Sequence, residues 1–117
     1  MLTPLELDIM KAVWHRPPIT VREVQELIRP DRKLAYTTVM TIMDRLYHKR
    51  FLKRTLQSRT YVYEPAIDFG EVRDEAVEIL VKSFFGSKEK LREFLDVPGE
   101  PGNVLPRAAP HFDETLL

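Results

Sequence analysis

Two short stretches of this sequence mark helix starts so plainly that they limit the fold before anything else does. Thr3-Pro4-Leu5-Glu6 supplies a capping hydroxyl, a proline at the first helical position and a glutamate three residues on that can reach back to the cap. Thr20-Val21-Arg22-Glu23 repeats the signature. Between them, Arg16-Pro17-Pro18 stops the chain, because proline has no amide donor and disfavours helix in the residue before it. A first helix is therefore expected over about 4–15, with Leu5, Ile9, Val13 and Trp14 at helical spacing. Ile19 should be a short extended piece. A second, short helix follows up to Pro30, with Val21, Val24, Leu27 and Ile28 on one stripe.

Asp31–Ala35 reads as a polar turn into a third helix over 36–49. At about 100° per residue, Val39, Ile42, Met43 and Leu46 gather on one side, and Thr37, Thr38, Thr41, Asp44, Arg45 and His48 on the other. Threonine is a mediocre helix former, and an ordinary solvent face favours Glu, Lys, Gln or Ala. Small hydroxylated side chains let a helix sit deep in the DNA major groove and touch phosphates and thymine methyls, while Arg45 reaches further. Thr37, Thr38, Thr41 and Arg45 are thus the candidate reading residues; the plain alternative is an exposed face that happens to be rich in threonine. Asp44 has two ways to tolerate nearby phosphates: accept from a cytosine amino group, or pair with a neighbouring cation.

Phe51–Leu56 and Thr60–Tyr63 are rich in aromatic, aliphatic and β-branched residues and flank the polar Gln57-Ser58-Arg59, which predicts a β-hairpin with a basic tip. Three helices and a basic hairpin make a winged helix, with Lys49, Arg50, Lys53, Arg54 and Arg59 as candidate phosphate contacts. The charge distribution agrees. The chain is neutral overall, yet residues 1–63 carry +6 and residues 64–117 carry −6, as suits a molecule with one half facing a polyanion. There is no cysteine, His15, His48 and His111 lack metal-ligand spacing, and four glycines form no phosphate loop, so neither enzyme chemistry nor a metal or cofactor is expected. No apolar run is long enough to span a bilayer and no signal-peptide pattern opens the chain, so the expected location is the cytosol, with no membrane partner.

A helix over about 71–85 places Val72, Ala76, Ile79 and Leu80 at helical spacing, widened by Val77, Val81, Phe84 and Phe85. Gly86-Ser87 reads as a glycine stop and a new cap before a second short helix bearing Leu91, Phe94 and Leu95. So wide an apolar face needs cover, either from a partner or from the chain's own winged helix. The fold class is therefore mainly α with a small β-hairpin. A winged-helix domain over 1–66 leads into a helical dimerisation arm over 67–95 and a Pro-rich, disordered tail over 96–117.

Leu2-Thr3-Pro4-Leu5-Glu6 through Val13-Trp14, Thr20–Val24, Ala35–Leu46 and Arg59–Pro65 together closely resemble the penicillinase-repressor and methicillin-resistance-regulator family of bacterial winged-helix repressors. The resemblance implies a homodimer on an inverted-repeat, palindromic operator in double-stranded DNA, with a C-terminal arm for dimerisation. It puts Thr38, Thr41 and Arg45 on the family's recognition-helix pattern and Arg59 on its wing arginine. In antibiotic-responsive members a protease cuts the arm beside an Asn-Phe pair, which makes a regulatory protease a further partner to test; here the corresponding pair is Glu93-Phe94, a departure from that pattern. The chain also departs from the family after Leu95, where prolines and glycines replace a further arm helix. The alternative function is a winged-helix adaptor that binds protein without reading DNA sequence.

Overall fold

The computed structural model describes residues 1–97. The chain runs through α1 (Pro4–His15), α2 (Val21–Ile28), α3 (Tyr36–His48), β1 (Leu52–Gln57), β2 (Thr60–Pro65), α4 (Phe69–Leu80), a π-helical turn (Val81–Phe85) and α5 (Lys88–Asp96). It divides into two compact units between Asp74 and Glu75.

Both capping boxes form. Thr3 Oγ1 accepts from the Glu6 amide at 3.1 Å, and the Glu6 carboxylate accepts from the Thr3 amide at 2.9 Å. Thr20 and Glu23 repeat the exchange at 3.2 and 3.0 Å. These bonds satisfy amides that a helix start leaves without intrahelical partners. The stripes read from the sequence then meet, joined by Met10, which that spacing left out: Ile9 and Val13 of α1, Val24 and Ile28 of α2, and Val39, Ile42, Met43 and Leu46 of α3 form one buried core with Leu52 and Tyr63 of the hairpin.

The strands pair antiparallel from Leu52 opposite Pro65 to Gln57 opposite Thr60. Ile19 adds the expected extended piece, exchanging backbone hydrogen bonds of 3.0 and 2.8 Å with Tyr63. The connection is tighter than a three-residue loop: Gln57 is the last residue of β1, and Ser58 and Arg59 alone make the turn, both left-handed at φ 48° and 68°. That backbone twist matches the twist of the strands.

Past the hairpin, the Ala66 amide donates to the Phe51 carbonyl at 2.9 Å and the Trp14 indole donates to the Ile67 carbonyl at 3.0 Å. The Trp14 and Phe69 rings meet edge to face, 5.2 Å between centroids. These contacts carry the first unit on to Asp74.

The helix α4 starts at Phe69, still within the first unit and two residues earlier than the spacing suggests, and in the second unit the last turn of the expected helix widens into the π-helical Val81–Phe85. Gly86 ends it at φ 83°, its amide donating to the Val81 carbonyl at 2.7 Å, and the Ser87 hydroxyl caps α5 by accepting from the Lys90 amide at 3.2 Å. The Pro-rich tail expected over 96–117 lies outside the described residues, apart from Asp96 at the end of α5 and Val97. No helix among the described residues is long and apolar enough to cross a membrane.

Candidate nucleic-acid interface

The interface is built on α3, whose two sides have opposite fates. Val39, Met43 and Leu46 are fully buried and Ile42 nearly so, which fixes the helix in rotation. Thr37, Thr38, Thr41 and Arg45 are all exposed, and with the edge of Ile42 they line one shallow open depression. The structure thus brings together all four residues expected to read bases.

The start of α3 differs from those of α1 and α2. Its cap is Ala35, no side chain accepts from its first amides, and its first turn holds no acid. Glu6 and Glu23 occupy the equivalent turns of the other two helices. The positive end of the α3 dipole is therefore left open to an approaching phosphate beside Thr37 and Thr38. Arg22 of α2 lies over the ring of the exposed Tyr36, 5.1 Å from its centroid, and adds positive charge at this end. Sequence reasoning missed both features, although a non-capping alanine before Tyr36 was a signal for the first. The loop leading in is pinned by Gln25, whose amide donates to the Leu34 carbonyl at 3.0 Å, and by Arg32, paired with Asp8 at 2.7 Å.

At the other end, α3 closes with the Arg50 amide donating to the Tyr47 carbonyl at 3.0 Å and the Phe51 amide to the Leu46 carbonyl at 2.9 Å. This pairing calls for a left-handed residue, usually glycine, and here Arg50 takes that place at φ 69° with its side chain exposed. Arg59 sits at the tip of the wing and Lys53 on β1, both exposed. These three basic side chains remain candidates for phosphate contact.

Two members of the basic cluster have other tasks. Lys49 donates to Glu6 at 3.0 Å, and Glu6 is a buried carboxylate, 3% exposed. Burial pushes the Glu6 pKa up, but the Thr3 amide and Lys49 outweigh that and hold it below the ordinary carboxylate value. Arg54 departs furthest from the role expected for it. Its guanidinium donates to Asp44 at 2.8 Å and lies 3.9 Å from the centroid of the Tyr47 ring and 4.1 Å from that of Tyr61. Leu52 faces the core and strand side chains alternate, so Arg54, two residues on, is turned inward as well. Of the two ways for Asp44 to tolerate phosphates, the structure contains the pairing with a cation. Hydrogen bonding to Asp44 raises the Arg54 pKa above its usual value, and the same bond lowers that of Asp44.

In the arm, Val72, Ala76, Ile79 and Leu91 are half-buried, while Leu80, Phe84, Phe94 and Leu95 are exposed, Phe84 at 78%. Phe85 and Phe94 touch, with ring centroids 5.4 Å apart.

Helices packed on a hairpin, with an exposed polar helix face beside a basic turn, define a winged helix-turn-helix module of the kind that docks on nucleic acid. The chain belongs to the penicillinase repressor family, whose pattern it matches over residues 2–97. It is 40% identical over 77 residues to the transcriptional regulator BlaI of Mycobacterium tuberculosis, an alignment covering 65% of this chain and 53% of that one. It is 22% identical over 85 residues to the penicillinase repressor of Staphylococcus aureus, covering 73% and 68%. The chain thus spans about half the length of its mycobacterial relative. Among solved structures it resembles the DNA-binding domain of the repressor BlaI, with a TM-score of 0.55 and 28% identity, over 61% of this chain and 87% of that one. It also resembles monomeric Bacillus licheniformis BlaI in complex with the blaP half-operator, with a TM-score of 0.52 at the same identity and coverage.

Proposed function

We propose that this chain is a cytoplasmic transcriptional repressor that binds an inverted-repeat operator in double-stranded DNA as a homodimer. The observation that carries the proposal is the face of α3: Thr37, Thr38, Thr41 and Arg45 stand exposed together on a helix locked by the burial of its other side. The match to a family of repressors, and the likeness to a BlaI structure in complex with a half-operator, support the same reading and favour it over an enzyme or a protein-binding adaptor. Arg45 supplies the long donor for a base edge, the threonines set the depth of approach, and Arg50, Lys53 and Arg59 neutralise phosphates.

In this proposal residues 1–66 dock on DNA and residues 67–95 form the arm that pairs with a second copy. A binding helix on each protomer then meets successive major-groove faces of a two-fold symmetric site, one helical turn or a multiple of it apart. Genome-wide footprinting of the full chain tests the reading. It should recover sites sharing one palindrome; enrichment without a shared palindrome would favour the adaptor.

A further inference from the structure

Asp44 occupies a hazardous position: it lies on α3 beside Arg45, where a free carboxylate would repel the phosphates that the helix has to approach. In the structure its Oδ1 accepts a hydrogen bond from Arg54 at 2.8 Å, while His48 Nε2 stands 3.6 Å from Oδ2. Arg54 in turn is gripped on several sides. Tyr47 of α3 and Tyr61 of β2 flank its guanidinium, the Tyr63 hydroxyl lies 3.4 Å from the nitrogen that also meets Asp44, and only 16% of the side chain is exposed. One guanidinium from β1 therefore joins α3 to both strands of the wing. Its flat, multi-donor shape suits this place, since a lysine ammonium can neither stack between two rings nor keep the same set of donors.

We propose that Arg54 is a positioning residue that sets the angle of the wing against the recognition helix, and that Asp44 serves DNA binding by holding Arg54 rather than by touching a base. The lever is long. Strands rise about 3.3 Å per residue and three steps separate Arg54 from Gln57 at the turn, so the tip lies roughly 10–13 Å beyond Arg54, and a rotation of about 10° there would move Arg59 by about 2 Å. A displacement of that size breaks a hydrogen bond to phosphate. The inference rests on the DNA-binding reading and makes a claim of its own about which cations touch DNA.

The test uses the full chain and a duplex that the wild-type protein selects from a random-sequence pool, with binding followed by fluorescence anisotropy. Wild type that selects no sequence would remove the DNA-reading function itself, and with it the clamp; the outcomes for the variants bear on the clamp alone. Asp44→Asn should weaken binding about tenfold, although by charge alone the loss of a carboxylate should strengthen it. Arg54→Lys, which keeps the charge, should weaken it about as much, by roughly tenfold. Arg59→Ala should cost about tenfold in the wild-type protein and less than about twofold in the Arg54→Lys background, because the tip contact is already lost there. Asp44→Asn preserves side-chain shape, and its far-ultraviolet circular dichroism should match wild type, so its binding loss is not a loss of folding. Tighter or unchanged binding by Asp44→Asn, wild-type binding by Arg54→Lys, or fold-changes for Arg54→Lys and Arg59→Ala that simply multiply would each overturn the proposal.

Discussion

The two compact units use the same helical pattern to opposite ends. In residues 1–74 most of the large apolar side chains close on one another, with Met40, Leu56 and Phe69 exposed, and the acids that remain near the interface are paired: Glu6 with Lys49, Asp8 with Arg32, Asp44 with Arg54. In residues 75–97, Val77, Leu80, Phe84, Phe94 and Leu95 stand in solvent, and α4 has no buried residue at all. An amphipathic helix is stable only when its apolar face is covered. The first unit provides that cover itself, whereas in the described residues of the second only Val81 is buried, which is the physical support for the proposal that the arm self-associates.

The largest effect that sharpens this contrast comes from the core. Leu46→Ala removes a fully buried side chain of α3 and should cost about 2–5 kcal/mol in chemical denaturation, while Phe84→Ala, exposed in the arm, should leave the unfolding of the first unit within about 0.5 kcal/mol. Comparable losses would mean that the arm side chain is packed after all. Arg45→Ala should weaken binding to a selected duplex by about 1–3 kcal/mol and relax the preference at one base position, with no change in stability. For the arm, Leu80→Glu should shift sedimentation from dimer to monomer at micromolar concentration and raise the dimer dissociation constant by about tenfold or more; a wild-type monomer would break the comparison on the arm side.

Smaller effects probe the charges of the first unit. Glu6 has a folded pKa below its ordinary value near 4.5, so its contribution is present at neutral pH and is lost as the pH falls through the folded pKa. Glu6→Gln should lower stability by about 1 kcal/mol at pH 7 and flatten that part of the acid-induced loss, as read by denaturation across a pH series. Arg50→Gly should act in opposite directions on two properties. It relieves a left-handed arginine and should stabilise the fold by about 0.5–1 kcal/mol, while the loss of one phosphate contact lowers the salt slope of DNA binding by about one.

Where local rules act alone, the sequence was a sufficient guide. The caps at Thr3, Thr20 and Ser87, the stop at Arg16, the glycine at 86 and the buried stripe of α3 all stand where a reading of hydroxyls, prolines and periodicity puts them. The exposed face of α3, with Thr37, Thr38, Thr41 and Arg45, was legible for the same reason, since burial of one side leaves the other outside. What escaped notice depended on contacts between elements. Lys49, Arg50, Lys53, Arg54 and Arg59 look alike in a row, but Glu6, 43 residues earlier, takes Lys49, and Asp44 with two tyrosines takes Arg54. Strand alternation from Leu52 could have singled out Arg54, whereas nothing in the local sequence links Lys49 to α1. The widening of the helix at Val81–Phe85 likewise has no signal in the apolar spacing, which reads the same for α and π turns over so short a stretch.

Repression by this chain depends, in the proposed function, on α3 reading sequence. The most direct measurement is the affinity of the full wild-type chain, at one fixed salt concentration, for its selected palindromic duplex and for a duplex of equal length with the half-sites scrambled. A sequence-reading helix predicts a preference of about a thousandfold or more. Equal affinity for the two duplexes, falling with salt in the same way, would mean that the threonine face contacts nothing but backbone and would contradict the account.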